Sequence, residues 1–421
     1  MAAIIVKSSQ VKSSQVKSSQ VKGNLCPSDG QNNSRSKLYP LIFISAGIAS
    51  IIFLFFFSSS AEYLWVDLVT QWKVCAYTLR GVDIYTLRGS SDFIPEIGFL
   101  QAGFHASPWG CILENVFYGG FLSFGAAKAY FLTASLTVLL IASLVLRAKC
   151  ASLGFGSWAF IISLFSLDFF APVAGGNAGG MICAFLLMAW LVCDDHPYVA
   201  GVLVAFAMVK PQAALIVCVM LLMMKRIKPL IVGAAVDISA WFAVSVMTKK
   251  GMFELLREFL FMSSDKVGEP FSAGIFTLVF DSYMSAVYAS MTAGVIFVAV
   301  IYALLPRDMP EMFRIYPAFM AVTFWCYSYV NDNYVLVLPV CLCAWLMLRG
   351  RKSVFWFLCG LWCSFGVHIR SILRRLAMFG NSELAINIAR RYGWTIYELG
   401  IIVLGVIICL ELRRIYRETR P

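Results

Sequence analysis

The stretch that decides the fold runs from Tyr198 to Lys228 and reads YVAGVLVAFAMVK PQAALIVCVMLLMM KRIK. Two short apolar runs meet at Lys210-Pro211-Gln212, and the basic cluster KRIK follows at 225–228. The residue before a proline is disfavoured in the α-helical region, so the first helix must end here. A broken helix at membrane depth is tolerated where it lines a cavity. The pattern therefore predicts an interrupted membrane helix with a lysine at its break.

The composition extends this interpretation to the whole chain. Of the 421 residues, 60% are hydrophobic and only 14% are charged, and the mean hydropathy is +0.79. A soluble domain carries roughly 25% charged residues. Many of the apolar runs approach the ~20 residues that cross a bilayer. These values exclude a soluble globular domain and predict an all-α, polytopic transmembrane helical bundle of about 10–13 helices.

The formal net charge of +11 indicates topology rather than a nucleic-acid partner. The basic residues stand in short clusters between apolar runs, without the basic stripe and interleaved aromatics of a nucleic-acid surface. Lys and Arg mark cytoplasmic loops, so both termini are expected in the cytoplasm and the protein in the inner or plasma membrane.

The thirteen cysteines do not predict a metal centre. Most lie inside apolar runs, and none shows a CxxC or Cys/His ligand spacing. Cys75 and Cys111 flank a polar segment, and a disulfide between them is an option if that segment is extracytoplasmic.

Three parts of the chain are distinguished by composition. Residues 1–37 are polar and contain VKSSQ three times in tandem, which predicts a disordered cytoplasmic tail of low complexity. Residues 38–412 form the predicted transmembrane domain, and residues 413–421 form a basic cytoplasmic tail. Within the domain, the first span is followed by a long polar loop at 59–108, which is expected on the extracytoplasmic side.

Ionisable side chains at the membrane are the first candidates for chemistry, because their burial is costly. Asp67 stands shortly after the first span, where a carboxylate can take a proton from an acceptor hydroxyl or can cap a helix. Lys210 stands at the helix break, where an ammonium can hold a phosphate or can snorkel to the interface.

Three further candidates come from polar turns. Asn177 lies in GGNAGG at 175–180, where glycines let a ligand approach backbone N–H groups or form an ordinary connector. Asp332, on the same predicted side as Asp67, either shapes a sugar site or solvates a turn. His105 either binds a diphosphate or hydroxyl, or is structural. The sequence has no Walker loop, no GxGxxG after a strand and no HExxH, so an activated lipid is a more plausible donor than a nucleotide.

The order of these motifs resembles the polyprenol-phosphate-mannose-dependent mannosyltransferases of the glycosyltransferase C (GT-C) superfamily. The resemblance covers roughly residues 40–350, and four places carry it: Asp67 followed by Gly81-Val82-Asp83-Ile84-Tyr85; Ser107-Pro108; Gly176-Asn177 followed by Ala200-Gly201 and Lys210-Pro211; and Asp332 before Leu336–Pro339. The family often has Gln where Asn177 stands, Pro where Ile84 stands, and a His shortly before the late Asp.

The resemblance implies a GT-C-like fold and an inverting transfer without a nucleotide donor, and no cofactor is expected. The sugar would be a hexose or pentose, with mannose the family's commonest case. It would pass from a polyprenyl-phosphate donor to a lipid or glycan acceptor of the cell envelope, at the extracytoplasmic face. Asp67 would be the general base, and Lys210 and His105 would bind the donor phosphate. The remaining substrate contacts would come from Asp83, Tyr85, Asn177, Gln212 and Asp332.

The main alternative is a transporter or flippase for a lipid-linked sugar, which would share the broken helix and its lysine. An oligosaccharide polymerase or ligase and a structural membrane protein are further alternatives.

Overall fold

The structure is a computed structural model that describes a defined set of residues. These are 66–87, 107–265, 283–306, 318–323, 334–349, 354–364 and 383–419, with the single positions 45, 48, 97, 309, 313 and 316. The predicted cytoplasmic tail at 1–37 and almost all of the predicted first span at 38–58 lie outside these residues.

Within the described ranges every regular element is helical, which confirms the predicted all-α class. The helices of the first half are α1 Val66–Leu79, α2 Gly110–Leu113, α3 Asn115–Tyr118, α4 Phe124–Ala151, α5 Gly156–Leu164, α6 Leu167–Ala174, α7 Gly179–Val192 and α8 Pro197–Ala207. The second half contains α9 Pro211–Met223, α10 Ile227–Thr248, α11 Met252–Asp265, α12 Tyr283–Leu304, α13 Val337–Leu348, α14 Val354–Ser364 and α15 Glu383–Thr419, with 3₁₀ helices at Ala318–Thr323 and Tyr334–Leu336.

Two of the described helices, α4 and α10, are long and apolar enough to cross a membrane by length and composition, and several shorter apolar helices accompany them. Both helices expose large apolar side chains along their length. These are Leu136, Leu140 and Leu144 on α4, and Ile231, Ile238 and Phe242 on α10. Apolar surface of this extent suits contact with lipid better than contact with water.

The apolar run at 155–172 is long enough to predict one membrane span, and this prediction is wrong as a single helix. The structure divides it into α5 and α6, which are separated at Phe165 and Ser166. The N–H groups of Phe169 and Phe170 donate to the Ser166 carbonyl, at 3.1 and 3.4 Å, so a new helix starts at the serine. Serine is typical of helix starts rather than helix interiors, and apolar composition alone does not report such a restart.

The centre of the bundle is α7. Every residue from Gly179 to Leu191 is buried, as expected for a helix that is apolar on all sides. Helices α4, α6, α8 and α9 pack around it. Because α7 starts at Gly179, inside the GGNAGG motif, the core of the protein holds this turn in place.

Helices α8 and α10 approach each other closely at two glycines. A Cβ atom on Gly201 would lie 2.5 Å from the Val232 Cβ, and one on Gly233 would lie 3.2 Å from the Gly201 carbonyl oxygen. Small residues that bring backbones together are typical of helix packing in membranes. The contact aligns α8 with the first half of α10.

Two ion pairs connect charged segments at one end of the bundle. These segments are the ones predicted to face the cytoplasm. Lys149 Nζ lies 2.6 Å from Asp195 Oδ2, and Arg226 pairs with Asp194. The C-terminus of α4, the turn between α7 and α8, and the turn between α9 and α10 therefore share this end, which we call the basic end.

From the basic end, α8 and α9 form a helical hairpin whose tip is Lys210. The 11 residues of α8 and the 13 of α9 correspond to lengths of roughly 16 and 20 Å. Near the tip, Trp109 donates its Nε1–H to the Met208 carbonyl at 2.8 Å and stacks edge-on against Trp241 of α10, with centroids 6.2 Å apart. From Trp241, α10 continues to Thr248, roughly 10 Å further along its axis. The tip is therefore recessed from the end of the bundle opposite the basic end.

The structure also bears on two further expectations. The last helix, α15, continues to Thr419 and so includes most of the predicted tail at 413–421. Cys75 and Cys111 are both buried and carry no disulfide.

Candidate active site

Three of the predicted site residues meet in one row of hydrogen bonds. Asp67 lies in the first turn of α1, Asn177 in the turn before α7, and Lys210 at the tip of the α8–α9 hairpin. The Asn177 amide donates from Nδ2 to Asp67 Oδ2 at 2.8 Å, and Lys210 Nζ donates to Asn177 Oδ1 at 3.0 Å. A neutral amide thus separates a carboxylate from an ammonium.

The orientation of the Asn177 amide follows from its partners. The Gly179 backbone N–H also donates to Asn177 Oδ1, at 2.8 Å. Because this N–H and the Lys210 ammonium are both donors, the atom between them must be the carbonyl oxygen. The amide NH₂ group therefore faces Asp67.

The GGNAGG turn positions Asn177 through a glycine. Gly176 has φ +74°, a left-handed conformation that favours glycine. A Cβ atom there would lie 2.6 Å from the Leu68 Cβ and 2.9 Å from the Leu68 backbone nitrogen. The missing side chain lets the turn touch the start of α1, next to Asp67.

The backbone N–H groups of this turn bond within the protein. Those of Gly176 and Asn177 donate to the carbonyls of Val173 and Pro172, at 3.0 and 2.8 Å. The Ala178 N–H donates to the Tyr118 hydroxyl at 2.9 Å. In the described structure the turn therefore acts by placing the Asn177 side chain, and not by presenting these N–H groups to a ligand.

The predicted helix break at Lys210-Pro211 is present. Helix α8 ends at Ala207, and Lys210 has φ −112° and ψ 83°, outside the helical region. Pro211 is the first residue of α9, a position where its missing N–H costs nothing. The break turns the lysine side chain towards Asn177, in the interior of the bundle.

A short segment at 107–118 closes the site from one side. Its Trp109 bonds to the Met208 carbonyl, and its Tyr118 accepts the Ala178 N–H. Between these two anchors lies Glu114, a residue that is only 4% exposed. Burial raises the pKa of the Glu114 carboxyl to about 8, and the positive charge of Lys210 acts in the opposite direction.

Glu114 was not predicted from the sequence as a site residue. The signal was present, because Glu114 and Asn115 interrupt an otherwise apolar run at 108–125. A carboxylate inside an apolar segment is costly and so marks a candidate site. What the sequence lacked was the contact between this segment and the helix break, nearly a hundred residues further along the chain.

Asp83 and Tyr85 make contacts of a different kind. Asp83 Oδ1 accepts the Tyr85 backbone N–H at 3.0 Å, and the same carboxylate pairs with Lys250. Lys250 also lies 2.5 Å from Glu258 of α11, while the Tyr85 hydroxyl is 3.9 Å from Cys111 Sγ. These contacts dock the loop at 81–87 onto the α10–α11 connection.

The other predicted site residues are not described as fully. His105 and Asp332 lie outside the described residues. Gln212 lies in the first turn of α9, two residues after Lys210, and the structure describes its backbone.

The fold and the site together describe a helical membrane protein with a carboxylate, an amide and an ammonium aligned inside the bundle. The family model of Glycosyltransferase family 87 matches residues 116–266. The matched segment runs from α3 to the end of α11 and contains Asn177 and the α8–α9 hairpin. This similarity indicates a glycosyltransferase, and therefore a sugar donor and an acceptor. No curated protein and no solved structure matches the chain.

Proposed function

We propose that the protein is an inverting membrane glycosyltransferase that uses a polyprenyl-phosphate sugar. It moves a hexose or pentose, with mannose as the first candidate, to a lipid or glycan acceptor at the extracytoplasmic face of the cell membrane. The observation that carries the proposal is the row Asp67, Asn177, Lys210, which holds a base and a cation in one site. The similarity of residues 116–266 to Glycosyltransferase family 87 supports the type of reaction.

At the donor end of the row, Lys210 binds the phosphate. An ammonium acts on a phosphate as a point charge, and the recessed hairpin tip brings this charge to a depth that a lipid phosphate can reach from the membrane. In the reaction the bond between the anomeric carbon and the phosphate oxygen breaks. The electron pair stays on the lipid phosphate, and Lys210 stabilises the negative charge that develops there.

At the acceptor end, Asp67 is the general base. It removes the proton of the acceptor hydroxyl while that oxygen forms a bond to the anomeric carbon, so the configuration inverts. A base must come within roughly 3 Å of the hydroxyl to act. Asn177 occupies one carboxylate oxygen and keeps the lysine at the far side of its amide, so Asp67 is not neutralised by a direct ion pair.

Transfer of a radiolabelled sugar from its polyprenyl phosphate by the purified protein tests this function. Mannose is tried first, then arabinose, galactose and glucose. Asp67→Asn removes the base but keeps the shape, and we expect transfer to fall by about 100-fold or more with little change in the KM for the donor. Asp195→Asn is the matched control, because Asp195 pairs with Lys149 at the basic end, and it should retain full activity.

Full transfer activity of purified Asp67→Asn would refute the assignment of the base. Movement of intact lipid-linked sugar across the bilayer, with no release of polyprenyl phosphate, would favour the flippase alternative.

A further inference from the structure

The Glu114 carboxyl is a buried acid that the proposed reaction does not use. It lies where α2 meets α3, and its carbonyl accepts the N–H groups of Phe117 and Tyr118, both at 2.9 Å. Its side chain is almost fully buried, and its Oε2 atom has no hydrogen-bond partner among the residues that the structure describes. A buried polar atom without a partner is costly, so a functional reason is to be expected.

The segment that carries Glu114 is tied to both ends of the Asn177–Lys210 contact. Trp109 bonds to the Met208 carbonyl, two residues before Lys210, and Tyr118 bonds to the N–H of Ala178, next to Asn177. Glu114 lies between these two anchors and within electrostatic range of Lys210. The acid is therefore built into the wall of the site.

We infer that Glu114 is a positioning residue for the donor: where it is ionised, its carboxylate is a counter-charge of Lys210 in the empty site, and it takes up a proton when the donor's phosphate occupies that lysine. This inference rests on the proposed function, because it requires a phosphate at Lys210. No bond to the sugar is made or broken at Glu114. An ionised Glu114 takes one proton from solvent on binding and loses one on release, so the average uptake is the fraction of Glu114 that is ionised in the empty site.

The charges around Lys210 explain the exchange. In a buried site two anions compete for one ammonium, and a nearby like charge disfavours the ionised form of a carboxyl. In the empty site burial raises the pKa of Glu114 to about 8 against the opposing effect of Lys210. A bound phosphate adds a negative neighbour and draws on the lysine, so this pKa rises further. Binding is therefore strongest below about pH 8 and weakens as the pH rises above it.

The other ionisable groups near Glu114 do not replace it. Burial raises the pKa of the Cys75 thiol on α1, of Cys111 on α2 and of Tyr118 on α3, and likewise that of Tyr85 in the loop. These four groups stay neutral over the range of interest. Of the carboxylates near Glu114 that the structure describes, Asp83 is held by Lys250, and Asp67 is held by Asn177.

The experiment measures the binding of farnesyl phosphate, a short polyprenyl phosphate, to the purified protein between pH 7.5 and 9.5. The second pKa of a phosphate monoester is about 6, so the probe keeps its charge over this range. Wild-type affinity should fall by about tenfold from pH 8 to pH 9.5. Glu114→Gln is the matched variant, because it keeps the shape and the lysine without the titrating group, and its affinity should change by less than about twofold.

A second measurement needs no variant. Calorimetry of the wild-type protein at pH 8.5, in two buffers of different ionisation enthalpy, should show uptake of a fraction of one proton per farnesyl phosphate bound. Farnesol, which has no phosphate, should show no such uptake. If farnesyl phosphate binds the wild type and Glu114→Gln with equal pH dependence, and the wild type takes up no proton, the role of Glu114 is overturned. The proposed donor site would remain supported by that binding. Failure of farnesyl phosphate to bind either protein at any pH would instead count against the proposed function itself, and the inference would fall with it.

Discussion

At the scale of single residues, Asn177 separates the two charged groups of the site. Its amide donates to Asp67 and accepts from Lys210 and from the Gly179 N–H. Without it, an ammonium and a carboxylate of opposite charge are free to approach each other directly. A direct ion pair favours the ionised carboxylate and so makes it a poorer base. Asn177, which takes no chemical step in the proposed reaction, therefore keeps the ammonium away from the proposed base.

We predict that Asn177→Ala lowers the kcat of sugar transfer by roughly 10- to 100-fold, because Lys210 then moves onto Asp67 and weakens the base. Asn177→Gln keeps the amide and is the matched control, so it should retain more activity than the alanine variant. Loss of the bond to Gly179 also leaves a backbone N–H at the start of α7 without its acceptor, which costs about 1 kcal/mol of stability. Thermal unfolding of both variants separates this effect from the kinetic one. An alanine variant as active as the wild type would contradict the role of the amide.

At the scale of helices and loops, the sequence predicted what depends on neighbouring residues. Pro211 predicted the break between α8 and α9, and the structure confirms it. The prediction was possible because proline disfavours the helical conformation of the residue directly before it. The split between α5 and α6 was not foreseen, because a serine inside an apolar run starts a new helix only in a suitable context. The row from Asp67 to Asn177 to Lys210 was not foreseen either. It joins residues 110 and 33 positions apart, and only the packing around α7 brings them together.

The loop at 81–87 shows the same limit. The sequence indicated Asp83 as a substrate-binding residue, whereas the structure pairs its carboxylate with Lys250, far along the chain. The Asp83 side chain is 9% exposed and that of Lys250 18%. Removal of one partner from such a pair costs more than removal of both, because a charge is left buried alone.

We predict that Lys250→Met lowers the Tm, and that the addition of Asp83→Asn to this variant restores part of the loss, because the orphaned carboxylate is removed. The single cost should be on the order of 3 kcal/mol. Lys249→Met, at the exposed neighbouring position, is the control and should leave the Tm nearly unchanged. Asp83→Asn alone should keep its KM for donor and acceptor. A large rise in either KM would instead support the substrate-binding role that the sequence indicated.

At the scale of the whole molecule, the described helices have two chemically distinct ends. The basic end collects Lys149, Arg226 and Lys228, together with the acidic pair Asp194 and Asp195. The loop at 81–87 lies at the other end, where Gly81 touches the last turn of α10 at Met247. Because Lys and Arg favour the cytoplasmic side, the two ends should face opposite sides of the membrane.

We predict that a membrane-impermeant maleimide labels Thr86→Cys in intact cells and labels Lys228→Cys only after the membrane is permeabilised. Both positions are exposed, so the contrast reports the side of the membrane and not burial. The unsubstituted protein measures the background from its own cysteines. Equal labelling of both variants in intact cells would contradict the orientation and, with it, the extracytoplasmic site.

The shortness of α8 and α9 has a consequence for the choice of lipid. The tip of their hairpin lies roughly 16 to 20 Å from the basic end, whereas the hydrocarbon core of a typical bilayer is about 30 Å thick. Helices adapt to a thicker membrane by tilting or by thinning the lipid around them, but the height of Lys210 above the basic end is built into the hairpin. Under the proposed function, a donor headgroup in a bilayer of longer acyl chains must therefore sink further from the outer leaflet to reach this lysine, and we expect the rate of sugar transfer to depend on the thickness of the host membrane.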